Sequence, residues 1–253
     1  MDADRLNPVI LITAASSGFG HGYARTLASY AQGGLILIDY DEATLEASAD
    51  ELGARGSVPE RVSTLAFDVG DEERWSQAER FIRSQYGRLD WALLNASAAP
   101  ASELVEWGRP RHLESVFYSL RATMRLMHDN SAGGSIIVSA PASELKAPAG
   151  SNASLMHLVD AAAKEGAHDN IRVNALLTGG GGDTPGWPEL PWFRDLVREC
   201  GEHRAALERI AQLPQPVARY ASADDIRRLI MMLLSDDTHA TGAALVVDGG
   251  YTL

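Results

Sequence analysis

The run Val9-Ile10-Leu11-Ile12-Thr13-Ala14-Ala15-Ser16-Ser17-Gly18-Phe19-Gly20 decides the fold of this chain. Its four consecutive branched apolar residues predict a strand that is buried on both faces. The small residues that follow predict a tight turn, and the glycines predict a helix that packs closely against that strand. A strand, a small-residue turn and a helix form the first part of a βαβ unit with a parallel sheet.

The same alternation of short apolar runs and helix-period segments continues to the end of the chain. It predicts an α/β fold, a single doubly wound Rossmann-type domain over 1–253, with a parallel sheet of about seven strands and helices on both faces. Strands are predicted at 9–12, 35–39, 62–67, 89–94, 135–139, 171–176 and 244–247. Helices are predicted from the first turn to 30 and at 41–52, 71–86, 113–127, 152–165, 193–210 and 222–234.

Composition and charge exclude several classes of partner. The 253 residues carry 34 acidic and 22 basic side chains, a net charge of −12, and 45% of them are hydrophobic. This balance is typical of a globular protein with a sizeable core. The negative field repels nucleic acid and anionic membrane surfaces, so we predict neither as a partner. No pattern of metal ligands is present, and we predict no metal site.

Cysteine content and the N-terminus indicate the compartment. One cysteine, Cys200, cannot form an intrachain disulfide, which favours a reducing environment. The acidic start Met1-Asp2-Ala3-Asp4-Arg5 is followed by only a short apolar run, unlike a signal peptide or membrane anchor. We therefore expect a cytoplasmic protein.

The turn after the first strand is a candidate phosphate site. In a parallel sheet, ligands bind outside the carboxyl ends of the strands where the strand order reverses, and a helix N-terminus there offers free N–H groups to a pyrophosphate. Gly18 and Gly20 permit close approach of the backbone. A turn that merely packs a helix on a sheet explains the glycine pair about as well.

Asp39 favours the nucleotide interpretation. It ends the second predicted strand, where a carboxylate accepts hydrogen bonds from the ribose diol of an adenine nucleotide and repels a 2′-phosphate. Its alternative role as a helix cap is better suited to Asp41. This residue predicts NAD as the cofactor, in preference to NADP.

Motifs spread over the whole chain resemble those of the short-chain dehydrogenase/reductase family. The turn from Thr13 to Gly20 is similar to the family's glycine-rich turn, with Ala14 at the first glycine. Later segments resemble the family's strand ends, its sixth strand Ile171-Arg172-Val173-Asn174-Ala175 and its C-terminus Val247-Asp248-Gly249-Gly250, which packs in a tetramer interface in that family. The resemblance implies cofactor contacts at Thr13, Ala14, Ser16, Ser17, Gly18, Phe19, Gly20, Asp39, Tyr40, Asp68, Val69, Asn95, Ala96, Thr178, Gly179 and Thr184.

The catalytic part of the family pattern is missing. The resemblance implies a tyrosine that exchanges the substrate proton, a lysine four residues later, a serine upstream and an asparagine in the preceding helix. The corresponding positions hold Ser154, Leu158, Pro141 and Ser119. A shifted alignment does not restore the couple, because none of the seven tyrosines is followed four residues later by lysine or arginine.

Three other side chains are candidate substitutes. His157 lies three residues after Ser154 and carries an imidazole, a group suited to proton transfer, Tyr118 neighbours Ser119, and Ser139 lies near Pro141. Ordinary roles explain each of them at least as well: a surface or packed helix histidine, a helix-packing tyrosine and a serine at a strand end.

The segment 180–212 is predicted as an insertion that covers the substrate. Its residues Trp187, Trp192 and Phe193, with nearby prolines and glycines, suit a hinged apolar cover for a small molecule. An oligomer contact or ordinary packing explains them nearly as well. The partners expected are thus a small, apolar ligand and further copies of the chain in a homodimer or homotetramer.

Three functions remain open at this point. The first is an NAD-linked oxidoreductase for alcohols or carbonyls with an unusual proton donor. The second is a catalytically inactive protein that binds a nucleotide or metabolite or supports an active partner. The third is non-redox chemistry on the same fold, such as elimination or dehalogenation, and fold alone does not rank the three.

Overall fold

A computed structural model describes residues 7–16, 18–54, 61–95, 111–142, 151–179, 191–212, 217, 221–235, 238–250 and 252. Seven parallel strands form one sheet in the order β3-β2-β1-β4-β5-β6-β7. The strands are β1 (Val9–Thr13), β2 (Gly34–Asp39), β3 (Val62–Ala66), β4 (Trp91–Asn95), β5 (Gly134–Pro141), β6 (Ile171–Thr178) and β7 (Ala244–Val247).

Helices connect the strands. They are α1 (Gly18–Leu27), α2 (Glu42–Ala54), α3 (Glu72–Tyr86), α4 (Arg111–His128), α5 (Ser151–Gly166), α6 (Pro191–Cys200), α7 (His203–Gln212) and α8 (Ala223–Leu234), with a short 3-10 turn at Ala167–Asp169. The doubly wound α/β architecture predicted from the sequence is therefore confirmed. None of the helices within the described ranges is long and apolar enough to cross a membrane.

The strands are apolar because helices cover both faces of the sheet. Every residue of β1 and β2 is buried. Alternate side chains of each strand enter one of two separate cores. One core lies under α3, α4 and α5 and includes Leu94, Val138 and Leu177. The other lies under α1, α2 and α8 and includes Leu93, Ile137 and Leu176.

Several helix ends follow the predicted capping chemistry. The Asp71 carboxylate caps α3 by accepting from the backbone N–H groups of Glu73 and Arg74. Ser222 and Asp225 form a capping box at the start of α8. Asp41 accepts from the N–H of Thr44 at 2.8 Å, the cap expected for α2.

Two predicted helix boundaries were wrong. The helix predicted at 193–210 is two helices, α6 and α7, because the chain turns at Gly201, whose φ is +81°. This left-handed conformation ends helices and favours glycine. The first helix ends at Leu27, short of the predicted residue 30, and the chain goes on in turns toward β2.

The strand order fixes where a ligand binds. The order reverses between β1 and β4, which pair with Leu11 opposite Ala92. Such a reversal opens a crevice outside the carboxyl ends of the two strands. The β1–α1 turn and the ends of β2, β4, β5 and β6 meet at this edge of the sheet.

Candidate functional site

The β1–α1 turn holds an unusual backbone conformation. Ala14 has a φ of +49° and Gly18 a φ of +54°. A Cβ on Gly20 would lie 1.9 Å from the carbonyl oxygen of Ala14 and 3.1 Å from Asn95 Nδ2. Gly20 is therefore required for the close approach of α1 to the turn. The tight turn places the N-terminus of α1 at the carboxyl edge of the sheet, where its free N–H groups can bind a ligand.

The Asp39 carboxylate is fixed at the end of β2. Its Oδ2 accepts from the backbone N–H of Ser16 at 3.0 Å and from the Ser16 hydroxyl at 2.6 Å. Its Oδ1 accepts from the N–H of Tyr40 at 2.8 Å. Asp39 is only 5% exposed. A negative charge is thus held beside the turn, with carboxylate lone pairs left for further donors.

Buried polar side chains follow the carboxyl edge of four adjacent strands. Thr13 ends β1, Asn95 ends β4, Ser139 lies near the end of β5 and Thr178 ends β6, and all four are buried. Asn95 lies opposite Ser139 in the strand register. Buried polar residues at one sheet edge, above two apolar cores, mark a site for a polar ligand.

Asn95 joins β4 to β1 across the reversal point. Its Nδ2 donates to the carbonyl oxygen of Thr13 at 2.7 Å, and its backbone N–H donates to Thr13 Oγ1 at 2.9 Å. These bonds leave Asn95 Oδ1 buried without a hydrogen-bond partner in the described parts of the chain. A buried acceptor of this kind is costly unless a ligand or water satisfies it.

Tyr23, which the sequence analysis did not select, belongs to this site. It lies on α1 and is buried, and its hydroxyl shares a 3.0 Å hydrogen bond with the Ser139 hydroxyl. Burial raises the pKa of Tyr23 to about 12, an effect that the neighbouring Ser139 and Thr178 hydroxyls partly oppose. Gly20, Ala24 and Leu27 are also buried on α1. This helical spacing is the sequence signal that Tyr23 faces the sheet.

The four positions aligned with the family's catalytic residues have other structural roles. Ser154 on α5 is exposed, while Leu158, one turn later, packs against the apolar core under α3, α4 and α5. Ser119 is buried on α4 and donates to the carbonyl of Ser115 in its own helix at 2.7 Å. Pro141 is the last residue of β5. None of these side chains is an acid with a usable pKa near neutrality.

The three candidate substitutes are placed differently from one another. His157 is exposed on α5. Tyr118 is half-buried on α4, with the Arg121 guanidinium 5.2 Å from its ring centre. Ser139 is buried and bonded to Tyr23. Of the three, Ser139 is therefore the residue that the structure brings to the polar edge of the sheet.

The remaining predicted cofactor contacts surround this edge. Phe19 stacks on Tyr23 with 6.2 Å between ring centres, and Tyr40 is 66% exposed next to Asp39. Asp68 is exposed and accepts from the N–H of Gly70, whereas Val69 is buried. Gly179 pairs with β7 through its N–H, which donates to the Val247 carbonyl. Several predictions lie outside the described residues, namely Ser17, Ala96, Thr184, Trp187 and the side chains of Trp192 and Phe193.

The arrangement fits an adenine dinucleotide. Gly20 lets α1 approach the β1–α1 turn closely, α1 presents its N-terminus there, and Asp39 holds a carboxylate beside the turn. The buried Asn95 oxygen offers an unused acceptor at the same edge. Within the described ranges, no cluster of three or more histidine, cysteine, aspartate or glutamate side chains is arranged to hold a metal ion.

Comparison with known proteins identifies the family. A family model described as enoyl-(acyl carrier protein) reductase matches residues 13–252. This chain belongs to the short-chain dehydrogenase/reductase family of oxidoreductases. The matched range includes the glycine-rich turn, Asn95 and the β6 segment.

The similarity to individual relatives extends over nearly their whole length. The oxidoreductase UcpA of Salmonella typhimurium is 29% identical, covering 96% of this chain and 94% of that protein. A cis-4-hydroxycyclohexanecarboxylate dehydrogenase of Sinomonas cyclohexanicum is 30% identical, covering 96% of each chain. The crystal structure of L-sorbose reductase from Gluconobacter frateurii, complexed with NADPH and L-sorbose, superposes with a TM-score of 0.81 at 26% identity, covering 99% and 98% of the two chains.

Proposed function

We propose that this protein binds NAD(H) at the carboxyl edge of its sheet and is a poor or inactive hydride-transfer catalyst. The observation that carries this proposal is the contrast between the two halves of one site. A buried carboxylate and a strained glycine-rich turn are kept at β1 and β2, while α5 offers Ser154 and Leu158 in place of a phenol and an ammonium.

The Asp39 carboxylate supports NAD rather than NADP. Its oxygens already accept three protein hydrogen bonds, which hold the charge in one orientation. A ribose diol donates to such a carboxylate, whereas a 2′-phosphate would bring like charges together. Neither Ser16 nor Tyr40, which bond to this carboxylate, supplies the positive charge that a phosphate requires. L-sorbose reductase was solved with NADPH and xylitol dehydrogenase with NAD+, so the fold alone does not set the cofactor and the Asp39 carboxylate carries the choice proposed for this chain.

Proton transfer is the step that this chain lacks. Hydride addition to a carbonyl carbon leaves a negative oxygen that must receive a proton from an acid held next to it. A serine hydroxyl is a far weaker acid than a phenol, and Leu158 provides no charge to lower the pKa of a neighbour. Removal of a general acid costs about 10²–10⁴ in rate. The function that the site supports best is therefore binding of a dinucleotide with impaired turnover.

Turnover measurements test this proposal. We expect the wild-type protein, saturated with NADH, to reduce a panel of ketones and aldehydes at least about 10²-fold more slowly than Ser154→Tyr/Leu158→Lys. The matched control is Ser154→Phe/Leu158→Lys, which adds the ring and the ammonium without the acidic hydroxyl. Rapid wild-type reduction of a carbonyl would overturn the proposal, as would equal rates for the tyrosine and phenylalanine variants.

We also propose a homo-oligomer with a small-molecule ligand. Met232 on α8 and Val246 on the edge strand β7 are 44% and 45% exposed, and exposed apolar residues at a sheet edge favour association. Size-exclusion chromatography with light scattering tests the proposed oligomer. A monomer mass at micromolar concentration would contradict it. An apolar ligand stays a prediction that rests on the aromatic residues of the predicted substrate cover, Trp187, Trp192 and Phe193. A cytoplasmic location stays a prediction that rests on the single cysteine.

A further inference from the structure

A buried phenol connects helix α1 to the far half of the site. Tyr23 is 3% exposed, and its hydroxyl lies 3.0 Å from that of Ser139 on β5. The Thr178 hydroxyl, at the end of β6, also faces the phenol. One side chain of α1 thus contacts polar groups of two strands that lie beyond the reversal point.

The Thr178 hydroxyl at the end of β6 can still form a hydrogen bond with a ligand. Thr178 is 2% exposed, yet its Oγ1 has no hydrogen bond of normal geometry to any residue that the structure describes. Asn95 Oδ1, on β4 next to β5, is also buried without a hydrogen-bond partner among the described residues. Buried oxygens are almost always satisfied in folded proteins, so two such atoms at one edge indicate a place for a polar group from outside the described chain.

The distance from Asp39 indicates which part of a dinucleotide this is. Asp39 lies on β2, and β1, β4, β5 and β6 follow in order. At about 4.8 Å between neighbouring strands, β5 and β6 lie about 14–19 Å from the Asp39 strand. With its adenosine ribose at Asp39 and its pyrophosphate at α1, an extended dinucleotide carries its nicotinamide half toward Ser139 and Thr178.

Tyr23 is unsuited to donating the missing proton. Its pKa is raised to about 12 by burial, so the phenol is neutral at physiological pH. The chain has only two lysines, Lys146 and Lys164, and Lys164 pairs with Asp160 on α5. Loss of the proton would leave a buried phenolate, and burial disfavours the charged form of a side chain. The phenol therefore acts as a fixed hydrogen-bonding group.

We propose that Tyr23 is a positioning residue that orients the Ser139 and Thr178 hydroxyls to bind the nicotinamide half of the dinucleotide. The group recognised is the carboxamide of the nicotinamide ring, which carries both a hydrogen-bond donor and an acceptor. This inference rests on the proposed dinucleotide binding. It adds a specific contact on the side of the site where the family's lysine is replaced by Leu158.

Titration with two ligands tests this role. ADP-ribose shares the adenosine, pyrophosphate and second ribose of NAD but has no nicotinamide. We expect Tyr23→Phe to weaken NAD binding about tenfold, the size of one lost buried hydrogen bond, and to change ADP-ribose affinity less than about twofold. The matched control is Tyr86→Phe, which removes another tyrosine–serine pair, the 2.7 Å bond to Ser63 on β3. That variant should bind both ligands like the wild type.

The outcomes separate this role from a structural one. Equal weakening of NAD and ADP-ribose by Tyr23→Phe would show that the phenol only supports α1, and unchanged NAD affinity would show no role at all. Either result overturns the inference but leaves dinucleotide binding intact, whereas a folded wild type that binds neither ligand overturns both proposals. Thr178→Val gives a second test without altering α1, and it too should weaken NAD alone. Thr178→Ser, which keeps the hydroxyl, should restore NAD affinity to within about twofold of the wild type.

Discussion

The Asp39 carboxylate accepts two hydrogen bonds from Ser16, at 3.0 Å from the backbone N–H and 2.6 Å from the hydroxyl. These bonds join the end of β2 to the β1–α1 turn, so the predicted ribose and pyrophosphate positions are held in one rigid unit. Thr44 on α2 extends the network, because its hydroxyl lies 3.3 Å from that of Ser16. The part of the chain proposed to hold the cofactor is thus preorganised by its own hydrogen bonds.

Cofactor selectivity tests the role of this carboxylate. We expect the wild-type protein to bind NAD at least about tenfold more tightly than NADP, a difference of about 1.4 kcal/mol. Asp39→Asn removes the charge and retains an oxygen that accepts from Ser16, so the preference should shrink through weaker NAD binding and stronger NADP binding. Isothermal titration at fixed ionic strength measures both affinities. An unchanged ratio in Asp39→Asn would place the ribose elsewhere.

Two glycines on α1 provide a paired test of the turn. Gly20→Ala places a methyl group 1.9 Å from the Ala14 carbonyl oxygen, and we expect it to cost about 3 kcal/mol of stability and to abolish nucleotide binding. Gly22→Ala, two residues later, meets no atom within 4 Å and should stabilise the helix by up to about 1 kcal/mol. Thermal unfolding and NAD titration of both variants check this. Similar melting temperatures for the two would contradict the close approach.

Ala14 is a strained position that glycine should relieve. A φ of +49° costs an alanine roughly 1–2 kcal/mol. Replacement by glycine removes this cost, but part of the gain is lost because glycine loses more conformational entropy on folding. We expect Ala14→Gly to stabilise the protein by about 0.5–1 kcal/mol, or roughly 1–4 °C in Tm. Ala15→Gly is the control, since Ala15 is buried in the core without a positive φ and its replacement should destabilise. A lower Tm for Ala14→Gly would refute the strain.

The pair of His128 and Asp169 gives the stability a defined pH dependence. His128 Nδ1 lies 2.7 Å from the Asp169 carboxylate, which raises the pKa of His128 above its usual 6.5. Because the folded-state pKa is the higher one, the stabilisation is complete below about pH 6.5 and is lost as the pH rises through the folded value. Asp169→Asn should therefore lower Tm by more near about pH 5.5 than near about pH 8.5.

A surface pair of a carboxylate and an ammonium provides the control. Asp160 bonds to Lys164 at 2.6 Å, one turn away on α5. The effect of Asp160→Asn should be the same at both pH values, because the pair contains no imidazole. A pH-independent effect of Asp169→Asn would show that His128 is not the titrating partner.

The sequence was sufficient to predict the fold because its apolar runs show which segments are buried. Runs such as 35–38 are apolar at every position, a pattern that only a sheet covered on both faces requires. All seven predicted strands are present in the structure. Asp71 and Ser222 cap helices where the sequence placed them. The break at Gly201 was missed because an isolated glycine inside a charged helical pattern does not reveal its φ.

The site could be predicted only in part. Asp39 follows directly from its place at a strand end, and the loss of the tyrosine–lysine couple follows from counting residues. Tyr23 could not be paired with Ser139, since the two are 116 positions apart and meet only through the crossover of strands. The helical spacing of α1 shows that Tyr23 faces the sheet, but it does not show which strand the phenol reaches.

Calorimetric titration of the folded wild-type protein with NAD tests the central claim most directly. The structure predicts one saturable site per chain that is lost in Gly20→Ala and retained in Gly22→Ala. Absence of measurable NAD binding by the folded wild type, or binding that is equal in the two glycine variants, would contradict a dinucleotide site at the β1–α1 turn.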